Sequence, residues 1–575
     1  MKKTGIYAAV IALTASLLLT ACGQPDAQTT AQPTAATGAI PQNIPLHEQT
    51  LALLHNNDSV VPPKIDAHRV TATYNREAII PPMCYTRTEG EYNPCYVCHQ
   101  DSQAGRENTM EDGVLQVAYS FSDLGTTNHW KNLFEDRSLR VAEISDDAIK
   151  QWVDQDNYSP LASRLKEVEF DGWIPDLHDL QKGAAAFDAQ GLAKDGSLWV
   201  AFNYKPFPST FWPTNGSTDD VMIRLDAPYR SDAEGNYSQD IYFANLSIVE
   251  ANLKQLRRIS TPAIDEKIVG SDLNGDGQLT TVREITVLDS YVGAAAALFL
   301  QPSTYPAGTE FLHSVRYLDI SADGEITHST RMKELRYMKK HVQHPLVAMR
   351  NFYVEEGYEK DAGYLPGYTY LADKGLDSGM GWAIQGFIED RHGNLRSYTY
   401  EENLACMGCH NSIGSTIDKT FAFPRKPDGA MGWGYINLKG LPDAPNRGET
   451  EGEIFTYLKR VGGGGEFRSN PEMQQRWFHS DGRVNEKAVK SAKDVYALIA
   501  PSTARAIELN KAYRVIVEDQ DYIYGKDATV TPPVNVYEQV DNATSPTLPL
   551  DKTYQWDIRL DWHSPTTSLD QPAGQ

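Results

Sequence analysis

Two segments place two thiols and an imidazole at the same spacing: Cys95-Tyr96-Val97-Cys98-His99 and Cys406-Met407-Gly408-Cys409-His410. A thiol can add across a vinyl group. Paired cysteines at this spacing can therefore hold the two vinyl groups of a porphyrin, with the adjoining histidine placed to ligate its iron from the proximal side. Zinc is the competing use of the same thiols, the two pairs meeting as a four-thiolate cage, but zinc does not need a histidine directly after each pair. A redox-active disulfide would need a thioredoxin-like unit around it, and none is evident.

Both segments resemble the haem-attachment motifs of c-type cytochromes, and their pairing in a long chain is similar to the di-haem peroxidases and di-haem oxygenases. The resemblance implies two covalently bound haem c groups, attached through Cys95, Cys98, Cys406 and Cys409, with His99 and His410 as proximal iron ligands. It implies redox activity without naming a substrate or a catalytic residue. A filled sixth position makes a haem an electron carrier; an open one admits small-molecule chemistry. Candidates for that position are His68, His129 and Met110 at the first haem and Met431, the nearest methionine downstream of His410, at the second. His341 and His344 are further candidates.

Of six cysteines, only Cys22 and Cys84 remain. Cys84 follows Pro81-Pro82-Met83 and admits three readings: a distal thiolate, a reactive thiol or a small buried side chain. The last is favoured because cysteines not in disulfides are among the most buried residues. Cys22 closes a leader with basic Lys2 and Lys3, an apolar stretch from Ile6 to Leu19 and small residues, the layout of a secretory signal. Its end, Leu19-Thr20-Ala21-Cys22, resembles the lipobox of bacterial lipoproteins, which implies lipidation at Cys22. Gln24 to Gln42 is rich in Ala, Thr, Gln and Pro and carries too few large apolar residues for a core, so it reads as a tether. Gly23, in place of an aspartate, is compatible with the outer membrane. The body then stands in the periplasm or at the cell surface.

The net charge of −23 repels phosphate backbones and favours a cationic redox partner over nucleic acid. The 575 residues exceed what one hydrophobic core usually holds. The fold class is α+β. The expected organisation is a leader over 1–21, a lipid anchor and tether over 22–44, a first haem segment over 45–140 and a mixed, β-rich middle over 141–395. A second haem segment over 396–460 and a helical C-terminal region with a tail over 461–575 follow.

Short apolar runs between turn residues, such as Leu198 to Phe202 and Ile241 to Phe243, read as strands, as do Phe311 to Ile320 and Trp382 to Ile388. Ile144 to Val153 and Thr330 to Gln343 read as helices, the second closed by Pro345 and carrying Arg331, Lys333, Arg336, Lys339 and Lys340 on what is expected to be a solvated face. Val489 to Ile499 and Thr503 to Val517 read as helices separated by Pro501. The tail after Thr529 is expected to wrap the surface.

Asp272-Leu273-Asn274-Gly275-Asp276-Gly277-Gln278 follows the start of a calcium-binding loop, with oxygens from Asp272, Asn274, Asp276 and Gln278 at alternate positions and Gly277 for the sharp turn. Arg283 stands where the closing carboxylate belongs, and Glu284 follows one residue late. The sequence thus predicts a membrane-tethered di-haem cytochrome c carrying electrons in the bacterial envelope, with Ca2+ as a structural ion. The alternative is a di-haem oxidoreductase, peroxidase- or oxygenase-like, with one open haem site.

Overall fold

The computed structural model describes residues 79–563, apart from 88–89, 100–115, 118–120, 122–123, 209, 211–212, 363–366, 411–417, 419, 464, 466, 546–547 and 556. Cys22, His68 and Met110, the leader over 1–21 and the tether over 22–44 lie outside the described residues.

The strands among them are β1 (Val200–Ala201), β2 (Thr218–Arg224), β3 (Ile259–Asp265), β4 (Thr281–Ile285), β5 (Glu310–Ile320), β6 (Ile326–Lys340), β7 (Thr369–Tyr370), β8 (Leu376–Asp377), β9 (Trp382–Glu389) and β10 (Leu395–Ser397). Eight of them make one antiparallel sheet in the order β1-β2-β5-β6-β9-β8-β7, with β10 on β9, and β3 and β4 pair separately. The architecture is α+β, with the sheet in the middle of the chain and helices in the C-terminal part. Its spine is the β5–β6 hairpin, turned at Ser321-Ala322-Asp323-Gly324, where Gly324 adopts φ +78° and its N–H donates to the Ser321 carbonyl at 2.9 Å.

Thr330 to Gln343 is not a helix. Most of it is β6, and Arg331, Lys333, Glu334 and Lys340 are buried rather than solvated. The charges are met by residues far along the chain: Arg331 donates to Glu389 at 2.6 Å and Lys340 to Asp418 at 2.9 Å. A local reading of charge spacing cannot register such partners. Ile241 to Phe243 errs in the other direction, since it lies in the helix Gln239–Lys254, which is buried on nearly every side. Helices that are apolar all round lose their amphipathic signal, and short apolar runs then look like strands.

The helices Asp146–Val153 and Thr503–Asp519 form as expected. Ser145 and Ser502 cap their N-termini, and Asn510 of the second donates to the Leu318 carbonyl of β5 at 2.7 Å. Val489 to Ile499 is split between Glu486–Lys490 and Val495–Ile499, the second capped by Asp494. The tail pairs at Val536 with Thr86, at Gln539 with Thr127 and at Leu560 with Asn446. It buries Val536, Val540, Ile558 and Trp562.

Candidate functional site

Each Cys-x-x-Cys-His segment forms the same turn. The Cys95 carbonyl accepts from Cys98 N–H at 3.2 Å and from His99 N–H at 2.8 Å; the Cys406 carbonyl accepts from Cys409 N–H at 3.2 Å and from His410 N–H at 3.0 Å. Side chains three and four residues apart on such a turn share a face.

The first turn begins a short 3-10 helix, Pro94–Val97, whose Asn93 side chain accepts from Cys95 N–H at 3.1 Å. Buried Gln116 ties the turn to the tail, donating to the His99 carbonyl at 2.7 Å and the Tyr554 carbonyl at 2.9 Å. The Arg460 guanidinium lies 4.6 Å from the Tyr96 ring centroid and 3.8 Å from that of Tyr554, a cation held against aromatic faces. Gln116 and Arg460 carry no motif and were not foreseen; only the folded chain brings them to the turn.

The second turn ends the helix Tyr400–Met407, which starts in a capping box of Thr399 and Glu402. Asn403 accepts from the Gly386 N–H of β9 at 3.1 Å, and Arg396 next to β9 forks onto Glu402 through two 2.8 Å bonds. The helix is thereby fixed to the sheet, and its final residues project from a rigid element.

The two turns lie close together. A Cβ added to Gly408 would stand 2.2 Å from the Ile79 carbonyl oxygen, so the strand of chain leading to Cys84 runs directly over the second turn. Cys84 sits in the 3-10 turn Pro82–Tyr85, partly buried against the main core. Burial pushes its thiol well above the usual range, and Cys95, Cys98 and Cys409 nearby push it further in the same direction. Among the described residues no group of three or more His, Cys, Asp or Glu side chains is arranged to hold a metal ion, so these thiols are not gathered into a four-thiolate cage.

Cys406, Cys409 and His410 all line one cavity of about 300 Å³, and from the first turn Cys98 reaches it as well. Its floor is the sheet. The register sets Phe311, Met338 and Ile384 in one row and Val221, His313 and Arg336 in the next. Phe207, Phe421 and Phe467 enclose the sides, and the His410 ring packs edge-on to Phe421 with centroids 5.6 Å apart. A largely apolar surface of this extent with charged side chains fixed around it suits a small-molecule ligand that has both apolar and charged parts. His313 donates through Nε2 to the Asp219 carboxylate at 3.2 Å, and it was not foreseen because nothing local distinguishes it.

The sixth-ligand candidates fare differently. Met431 is 65% exposed and does not line the cavity, because Gly429–Gly432 forms a surface turn. His341 hydrogen-bonds Asp377 at 2.8 Å, and His344 packs edge-on to Phe352 with centroids 5.4 Å apart; neither lines the cavity. His129 packs against Trp130 and Tyr524. The methionines that do line it are Met83 and Met338.

The calcium-like loop connects β3 and the helix Glu266–Val269 to β4. Asp272 accepts from the Gly275 and Gly277 N–H groups at 2.7 Å each, and Asp276 accepts from Gln278 N–H at 2.8 Å. Glu284 stands on β4 outside this ring of bonds, 4.0 Å from Arg258. Fully buried Glu266, which the sequence did not single out, closes the loop instead by accepting from Leu273 N–H at 2.6 Å and Thr280 N–H at 2.8 Å.

The profile of a lipoprotein family matches residues 67–497, well over half of the chain. The chain belongs to this lipoprotein family. It is also 30% identical over 540 residues to an "Uncharacterized lipoprotein" of Aquifex aeolicus (strain VF5), an alignment covering 82% of this chain and 90% of that protein. No solved structure matches it. These findings correct the resemblance to di-haem c-type cytochromes and to di-haem peroxidases or oxygenases, which rested on two five-residue motifs, whereas the lipoprotein match runs through both turns and the sheet between them. So short a motif reports local chemistry and says little about descent. The lipoprotein is an exported, lipid-anchored protein of the cell envelope, and no helix among the described residues is long and apolar enough to cross a membrane.

Proposed function

We propose that the two Cys-x-x-Cys-His turns each carry a covalently attached haem and that the lipoprotein transfers electrons at the envelope. The observation that carries this reading is the cavity of the second turn, where Cys406, Cys409 and His410 line one partly open space whose surface is largely apolar. Cys406 and Cys409 would hold the group and His410 would stand at its iron, supplying one-electron chemistry at a potential set by ligation and burial. The chain's own part is to exclude water with Phe207, Phe421 and Phe467 and to place cationic Arg336 on the floor. The first turn fits less completely, since Cys98 opens on this cavity whereas Cys95 and His99 do not line it. The negative surface suits a cationic redox partner, and Gly23 after Cys22 suits the outer membrane.

Expression with a haem-attachment system, followed by pyridine haemochrome counting, tests the reading. Two haems per chain are expected, with one lost in Cys406→Ser/Cys409→Ser. Absence of covalent haem in the intact chain would overturn it. A second reading, catalysis on a small molecule at an open iron position, is favoured by the exposure of Met431. Electron paramagnetic resonance of the resting protein separates the two: low-spin signals alone support the carrier, and a high-spin signal supports the catalyst.

The loop at Asp272, Asn274, Asp276 and Gln278 is proposed to hold calcium structurally, on the strength of its oxygen-bearing side chains at alternate positions and Gly277 at the turn. Added calcium should raise the melting temperature of the chain and leave that of Asp272→Ala unchanged.

A further inference from the structure

Lys333 reaches the cavity because β6 is bulged there. In the β5–β6 ladder Val315 pairs with Glu334 and Arg316 with Met332, so Lys333 is the extra residue, and both Lys333 and Glu334 line the same side of the sheet. Bulges of this kind re-aim a side chain beside a functional site. What Lys333 finds there is incomplete. The other cations of the lining each have a carboxylate within ion-pair distance: Lys205 and Arg425 on Glu453, Arg336 and Lys526 on Glu334, Arg468 on Asp527. Lys333 has none among the described residues. Its ammonium donates to the Gly216 carbonyl and, at 3.2 Å, to Ser217 Oγ, and it lies 4.3 Å from the ring centroid of Tyr513 and 5.0 Å from that of Tyr317. Two neutral oxygens and two ring faces are all that meet this ammonium, with no carboxylate among its close partners.

Tyr513, from the helix Thr503–Asp519, lines the cavity too, and its hydroxyl is buried without any hydrogen-bond partner. A buried donor left unmet is costly, so the orphaned Tyr513 hydroxyl beside a cation that lacks a counter-charge marks the place of a missing acceptor. We propose that Lys333 and Tyr513 together form the seat for a carboxylate, or a like oxyanion, on a ligand of this cavity.

Burial brings the Lys333 ammonium down to about 7 despite Glu389 and Glu334, as expected for a cation still lacking its counter-charge. Two sources share the chemistry. One is the acid side chains of a haem held at Cys406 and Cys409, and this source rests on the reading above. The other is a small free carboxylic acid, which does not.

The test uses the full chain in two forms, haem-loaded and Cys406→Ser/Cys409→Ser. In the loaded form, resonance Raman follows the bending band of the haem carboxylates; in the thiol-free form, succinate is the calorimetric probe. If the seat serves haem, Lys333→Met shifts the Raman band. If it serves a free acid, succinate binds the thiol-free chain, Lys333→Met weakens it by roughly tenfold or more, as loss of a charged hydrogen bond implies, and Lys333→Arg restores most of it. Failure of haem attachment leaves the succinate arm to decide.

Lys333→Met keeps the length of the side chain and removes a buried charge that has no carboxylate partner, so the variant is expected to fold, which its melting temperature checks. An unmoved Raman band together with no succinate binding that depends on Lys333 overturns the proposal, with water then satisfying both donors.

Discussion

Arg425 forks onto Glu453, donating from one nitrogen at 2.9 Å and from the other at 2.5 Å, and Lys205 donates to the same carboxylate at 2.8 Å. All three side chains are buried, and Arg425 forms part of the cavity wall. Burial opposes the charge of Glu453, yet Arg425 and Lys205 bring its carboxyl down to about 2. Removing it leaves buried Arg425 without a counter-charge and leaves Lys205 with Asp443 alone, 2.8 Å away. Glu453→Gln should therefore cost about 3 to 5 kcal/mol in urea unfolding, the range for breaking a buried pair from one side. A loss below about 1 kcal/mol would mean that water reaches the pair.

His328 on β6 gives a pH dependence. Burial, outweighing attraction to Asp220, holds its imidazole down near 4, and its Nδ1 has no hydrogen-bond partner. In the unfolded chain the ring protonates near its ordinary 6.5. The unfolded state therefore binds more protons between those values, and the contribution is present above 6.5 and lost as pH falls toward 4. Up to about 3 kcal/mol of acid-labile stability is expected from a shift of this size. His328→Phe should flatten the unfolding free energy over this window, measured by urea titration at several pH values.

Gly408 and Gly324 separate two reasons for glycine. Gly408 has helical backbone angles, so only the approach of Ile79 and Pro81 forbids a side chain. Gly324 has open space around its missing Cβ, and only its φ of +78° resists substitution. Gly324→Ala should cost about 1 kcal/mol, the backbone penalty alone. Gly408→Ala should cost more and should lower occupancy of the second turn, read by haem count. Equal melting temperatures for the two variants would contradict this packing.

Met431→Leu should leave the absorption and resonance spectra of the loaded protein unchanged, because the side chain is 65% exposed and outside the cavity. A change of spin state in this variant would place the thioether on iron and would require the surface turn to move.

The strands that were legible, β5 and β9, and the helices Asp146–Val153 and Thr503–Asp519 have apolar spacing, caps and breakers that act within a few residues. β6 was not legible, because its charges are satisfied by Glu389 and Asp418 from other parts of the chain. The Lys333 bulge leaves no trace in composition or period. Gln116, Arg460 and His313 lacked any signal for the same reason: each draws its role from neighbours remote in sequence.

By itself the sequence determined the local geometry of the two turns, since their spacing places two thiols and an imidazole on one turn whatever surrounds them. It also marked the lipoprotein leader, whose signals are local as well. Only the tertiary structure decided that turns more than half the chain apart lie side by side, that the second opens on a largely apolar cavity with charged side chains around it, and that Met431 stays outside it. Those are consequences of sheet register and helix docking, which sum many weak long-range contacts that no single segment encodes.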